Sequence, residues 1–315
     1  MTVNDTFTEF HGLPIIEFSP EKPAAPQGPV AWRISVSTYD AEISWPEAFS
    51  AFLDQVDPAT VTAIVVGGWA DPYDKSSAEV VQAIIDAAPR LPALRALFLG
   101  DMDSEDCEIS WIVQSDVTGL LTAFPALEEL GIRGSTQLSL TATTHTALRR
   151  LVIESGGLPS AVAQAVAASD FPALEDLELW LGTEDYGGDA SIDDLAPFLS
   201  GARLPALKRL ALCDSEIQTD VAKAVAAAPV VAQLTDLDLS MGVLHDEGGQ
   251  ALMSGVSLAH LTSINLNHNY FTDPVRQQLR TFFADLGVEA DVEEGDADAD
   301  DYGDGEIYYS IAVSE

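Results

Sequence analysis

The sequence predicts an α/β repeat solenoid, a horseshoe with a parallel inner sheet and outer helices. Three observations predict it: a recurring Leu-x-x-Leu-x-Leu pattern, a mean spacing of about 28 residues, and apolar helical periodicity between the copies. The clearest copies centre on Leu94, Leu97, Leu99; Leu127, Leu130, Ile132; Leu148, Leu151, Ile153; Leu174, Leu177, Leu179; Leu207, Leu210, Leu212; Leu234, Leu237, Leu239; and Leu261, Ile264, Leu266. Val61, Ile64 and Val66 form an earlier one. A strand or a helix alone cannot bury its apolar side, and stacking such units builds one continuous core.

Taken in chain order, residues 1–58 read as an N-terminal cap. Pro20, Pro23, Pro26 and Pro29 make an extended loop, VAWRISVSTYD reads as an extra strand, and PEAFSAFLDQV after Trp45 reads as a helix. Residues 59–285 carry the repeats. Their helices are expected in SSAEVVQAIIDAA from Ser76, PSAVAQAVAAS from Pro159, TDVAKAVAAA from Thr219 and DEGGQALMSG from Asp246. In the third, Val221 and Val225 share one face, and Asp220 suits the positive end of the helix dipole. Pro89, Pro125, Pro172, Pro205 and Pro229 sit where the chain leaves a helix for the next strand, a place where proline cannot continue the helix. PVRQQLRTFFADLG is the last helix. Residues 286–315 then read as a C-terminal cap hairpin, VEADV and EIYYSIAVS, with an acidic loop at 296–306. The whole is expected to be one continuous domain.

These units resemble the ribonuclease-inhibitor-like class of leucine-rich repeats, most clearly in LTDLDLSMGVLHDEGGQALMSG from Leu234. The segments GDMDSEDCEISWIVQSD, ESGGLPSAVAQAVAASDFPALEDLELWLGTEDYGGDASIDDL and SEIQTDVAKAVAAAPVVAQL resemble an uncharacterised family of bacterial leucine-rich-repeat proteins over nearly the whole chain. The resemblance implies the fold and brings no activity, cofactor or catalytic residue. The chain departs from the class at the turn after each strand. Asn269 stands there in one copy, whereas the others carry Ser135, Gly156, Gly182, Ser215 and Gly242, so those turns must use hydroxyls, water or altered geometry for their backbone groups.

The chain has 315 residues, of which 51 are acidic and 14 basic, for a formal net charge of −37. That balance repels nucleic-acid phosphate and anionic membrane surfaces; it either attracts basic proteins or cations or serves solubility alone, and net charge does not choose between the two. No apolar run is long enough to span a membrane, and MTVNDTFTEFHG lacks a signal-peptide pattern, so a cytoplasmic, monomeric protein is expected. Two cysteines, Cys107 and Cys213, are too few for a disulfide framework.

The register predicts which side chains line the concave wall. Asp176, Glu178 and Trp180 alternate along one strand, opposite Leu177 and Leu179. Arg209 and Cys213, then Asp236, Asp238 and Ser240, then Ser263, Asn265 and Asn267 follow on later strands. Arg133, Arg150 and Glu154 precede them. Trp180 amid charges suits an interface anchor, flanked by Asp176, Glu178, Arg209, Asp236, Asp238, Glu154 and Arg150. The competing reading packs Trp180 against GTEDYGGDAS. Trp69, Asp71 and Tyr73 form a weaker set, read as structural.

The expected function is therefore a non-enzymatic scaffold for a basic protein, without cofactor. A variant of that reading is regulation by mimicry of nucleic-acid charge. The alternative is an enzyme or metal-dependent accessory factor using Asp176, Glu178, Asp236 and Asp238, since clustered carboxylates shift one another's pKa and suit hard cations. His245 and His268 are the suggestive histidines, without an HExxH spacing. DADADDYGDGE from Asp296 fails as a calcium loop: its sixth position is Asp301 and its twelfth Ile307, where Gly and Glu are needed.

Overall fold

A computed structural model describes residues 6–21, 26–297, 299–301 and 307–315. The chain divides into two compact units: residues 1–154 with 168–171 and 315, and residues 155–167 with 172–314. Both rest on mostly parallel sheets, and no described helix is long and apolar enough to cross a membrane.

In the first unit, strands β1 (Glu9–Phe10), β2 (Leu13–Glu17), β3 (Ala31–Ile34), β4 (Ala63–Val66), β5 (Ala96–Leu99), β6 (Glu129–Arg133) and β7 (Arg150–Glu154) pair in sequence order. The pairing from β2 onward is parallel and in register, so Leu97, Leu130 and Leu151 lie side by side, as do Leu99, Ile132 and Ile153. Helices α1 (Trp45–Gln55), α2 (Ala78–Asp86) and α3 (Thr118–Ala123) connect them. α1 begins at a capping box, with Ser44 and Glu47 satisfying each other's backbone N–H groups and Pro46 in the first turn. It buries Trp45, Phe49 and Phe52, and the Trp45 indole donates to the Ile34 carbonyl at 2.9 Å.

β4 (AIVV) and β5 (ALFL) are buried at every residue, which tells that both faces of the sheet are covered there. One face carries Ile64, Val66, Leu97 and Leu99. The other carries Ala31, Ala63, Val65, Ala96 and Phe98, packed with Phe10 and, around it, Phe7, Leu13 and Ile15. The antiparallel β1–β2 hairpin, turning at His11 and Gly12 in left-handed backbone conformation, thus covers apolar residues on the face that sequence analysis assigns to an open wall.

The second unit contains β8 (Asp176–Gly182), β9 (Arg209–Ser215), β10 (Asp236–Asp238), β11 (Ser263–Asn265) and β12 (Glu289–Asp291), paired in parallel in that order. Its helices are α4 (Ser160–Ala168), α5 (Ile192–Ser200), α6 (Gln218–Val225), α7 (Asp246–Ser254) and α8 (Asp273–Leu286). Here burial alternates: Leu177, Leu237 and Ile264 are inside, while their strand neighbours Asp176, Asp236, Asp238, Ser263 and Asn265 are partly exposed. The expected C-terminal hairpin is built differently. VEADV supplies β12, which extends the parallel sheet, and the strand that pairs antiparallel with β14 (Ile307–Tyr309) is β13 (Ala299–Asp301), from within the acidic insert. Residues 298 and 302–306 of the expected acidic loop, and Pro23 of the expected N-terminal loop, lie outside the described residues.

Candidate functional site

The polar face of the second unit is a ladder centred on Arg209. Because β8, β9 and β10 are parallel and in register, Asp176, Arg209 and Asp236 fall in one row across the sheet. The Arg209 guanidinium reaches three carboxylates, with Nη1 at 3.0 Å from Asp176 and 2.7 Å from Glu178, and Nη2 at 3.2 Å from Asp238. Burial alone would lower the pKa of Arg209, but Glu178, Asp176 and Asp238 outweigh it and raise the value above its ordinary position. Three acids around one base leave the cluster net negative.

Asp238 and Asp236 are also held by neutral donors. Asp238 Oδ1 accepts from the Ser240 hydroxyl at 2.6 Å and the Ser240 backbone N–H at 3.1 Å, and Asn265 Nδ2 donates to Oδ2 at 3.3 Å. Asp236 accepts from the Ser263 hydroxyl at 2.5 Å and the Thr235 hydroxyl at 2.7 Å. Asn267 continues the ladder to Asp291 on β12, at 3.3 Å. Sequence reasoning missed Asp291, although the alternation in VEADV carries the signal. These bonds hold the acidic side chains in place without neutralising them.

Trp180 lies beside this row, with a consequence for its role. It is only 5% exposed, and its indole N–H donates to Glu178 Oε1 at 2.9 Å. The alternation places it on the face as expected, but the ring is buried and orients Glu178; it does not stand out as an anchor. Cys213, its register partner on β9, is buried too, and burial together with Asp238 and Glu178 pushes its thiol well above the ordinary range.

Arg150 and Glu154 belong to β7 of the first unit. Arg150 Nε lies 3.3 Å from Glu129, and Glu154 accepts from Arg133 Nε at 2.7 Å, so both are engaged within that unit. Trp69 is buried with its indole N–H bonded to the Lys75 carbonyl, and Asp71 pairs with Lys75, while Tyr73 is exposed. His245 and His268 pack around Tyr270; burial lowers the His268 pKa, and its Nε2 lies 3.2 Å from the Ser310 carbonyl. Among the described residues no group of three His, Cys, Asp or Glu side chains is arranged to hold a metal ion.

Neither a protein-family model nor a curated protein matches the chain. A solved structure does. The chain is similar to a protein from Bacteroides fragilis, determined by crystallography as a structural-genomics target, with a TM-score of 0.77 and 31% sequence identity over 87% of this chain and 74% of that one. At this identity and coverage the likeness extends beyond a shared architecture, and the chain belongs to the same family as the Bacteroides fragilis protein.

Proposed function

We propose that the chain is a leucine-rich-repeat solenoid of the ribonuclease-inhibitor-like class that serves as a non-enzymatic scaffold, taking a basic protein on the acidic ladder of its second unit. The parallel in-register strands and the helices between them support the repeat reading. The single observation that carries the function is the bonded ladder in which Asp176, Glu178 and Asp238 hold one arginine and Asp236 beside them is held by Ser263, a surplus of negative charge. Rigid acidic side chains recruit lysine or arginine with little ordering cost, and the attraction weakens as salt rises.

The test is affinity capture on immobilised protein at about 50 mM salt, followed by a salt step. The parent chain is expected to retain a specific basic protein that salt releases, and the Asp236→Asn, Asp238→Asn double variant to retain at least tenfold less. Capture of nothing specific, or capture indifferent to both substitutions, sinks the reading. A metal-dependent enzyme would instead need its cation to displace Arg209 from three carboxylates. A thermal-shift scan with Mg²⁺, Ca²⁺, Mn²⁺ and Zn²⁺ is accordingly expected to leave the melting temperature unchanged, and a stabilisation abolished by Asp238→Ala would favour the enzyme.

A further inference from the structure

The N-terminal hairpin of the first unit does more than cover apolar surface. Phe7, just ahead of β1, is gripped through its backbone. The Phe7 N–H points at both carboxylate oxygens of Asp101, at 3.2 and 3.3 Å, and Arg33 Nη2 donates to the Phe7 carbonyl at 2.8 Å. Arg33 Nη1 also donates to the Thr6 hydroxyl at 3.3 Å. Behind these contacts lies a buried ionic network. Arg33 bonds Asp101 directly, Arg133 Nη1 lies 3.6 Å from Asp101, and Arg133 Nε bonds Glu154 at 2.7 Å, with the Asp101 side chain wholly buried.

The ring of Phe7 is held as closely as its backbone. It meets Phe98 edge-on at 4.7 Å between centroids, and the Arg133 guanidinium lies 5.1 Å from its centre. Phe10, three residues on, packs against the same Phe98 at 6.0 Å. Gly131 makes room for Phe98, because a Cβ there would stand 2.2 Å from the ring. At the turn, His11 Nδ1 lies 2.8 Å from Glu129.

Covering an apolar sheet requires only apolar residues, and a buried ionic network is commonly no more stabilising than the apolar residues that could replace it. What this network adds is polar contact to the backbone of one residue. One acceptor and one donor read a single residue's N–H and C=O, and two ring contacts read aromatic side chains three residues apart.

We propose that Thr6–Phe10 is an intramolecular stand-in for a peptide ligand, and that the face formed by Arg33, Phe98, Asp101 and Arg133 binds a Phe-x-x-Phe segment of a partner, bent between its two rings as this one is at Thr8, once the strap is displaced. The strap keeps the site closed in the free chain. This inference uses none of the carboxylates of the acidic ladder, so either reading can fail alone.

The experiment uses the full chain carrying Phe7→Ala and Phe10→Ala, with a fluorescent, acetylated peptide of sequence TFTEFHG read by polarisation. The double variant is expected to bind the peptide at least tenfold more tightly than the parent. Replacing both peptide phenylalanines by alanine, or adding Asp101→Asn to the protein, is expected to remove that gain. A folded double variant, with a cooperative melt, that binds no better than the parent overturns the proposal. If the double variant does not fold, Phe7→Ala alone is compared with the parent using the peptide TFTEAHG, which needs only the place that Phe7 leaves, and equal binding by the variant and the parent overturns the proposal.

Discussion

Asp214 shows how much one side chain can contribute to pH behaviour. It sits at the end of β9 with φ of 51° and no exposed surface, its Oδ1 accepting the Val313 N–H at 3.0 Å while Oδ2 has no partner among the described residues. Burial raises its pKa well above the ordinary carboxylate value, against the lowering effect of the Val313 and Ala312 N–H groups. The native state therefore holds this proton to a higher pH than the unfolded chain, which releases it near pH 4. Because the folded state binds more protons, the stability contributed by this group is fully present below the unfolded pKa and is lost as pH rises, by at most about 1.4 kcal/mol per pH unit. Asp214→Asn keeps a neutral acceptor for Val313 and removes the titration. Denaturant titrations from about pH 4 to pH 8 should show the asparagine variant gaining on the parent as pH rises. A constant difference, or one moving towards the parent, would contradict this account.

At the scale of elements, the turns after the strands explain what the missing asparagines leave undone. Asn269 behaves as its place implies, donating to the carbonyls of Leu266 at 2.7 Å and Glu293 at 2.9 Å. Elsewhere the donor comes from a different position. Gln218, the first residue of α6, is wholly buried and donates to the Leu212 carbonyl of β9 at 2.8 Å; Gln114 does the same for Arg133 at 2.7 Å. Gly242 is small for a reason, since a Cβ there would lie 2.6 Å from Gln218 Oε1. Gln218→Leu keeps the volume but strands a buried carbonyl, so a loss of about 1–3 kcal/mol is expected from urea unfolding, with the m-value unchanged. A change under about 0.5 kcal/mol would mean that water or backbone adjustment replaces the amide. This device was hard to read in the sequence because the glutamine lies outside the repeating leucine frame. The helices that carry apolar periodicity, such as α2, α4, α6 and α7, were legible, whereas α5 was hidden by Pro197 and α3 by its six-residue length.

Across the whole molecule, legibility followed sequence separation. Leucines recur locally, so the strands and the polar row opposite them, Asp176, Glu178, Asp236 and Asp238, could be derived from spacing alone. The covering segments could not, because Phe7 meets Asp101 across 94 positions and Val313 meets Asp214 across 99, and no local period records such contacts. The residual clue was chemical: Val65 and Phe98 stand where an open face would carry polar side chains. Net charge is a property of this scale alone, and it makes a prediction that no contact makes. At −37, folding brings carboxylates together against their mutual repulsion, and salt should relieve it. Opposing this, salt weakens exposed ion pairs such as Lys75–Asp71 and Lys208–Glu175, each worth at most about 1 kcal/mol. The Arg133 pairs are buried and the Arg209 pairs partly so, and both are screened least. With acids outnumbering bases 51 to 14, repulsion should dominate. The melting temperature is therefore expected to rise steadily as sodium chloride goes from about 20 mM to about 0.5 M, with most of the gain complete once the screening length falls below about 8 Å. A fall over that range would mean that the ion pairs outweigh the surplus charge, and that the acidic surface is spaced widely enough to cost the fold little.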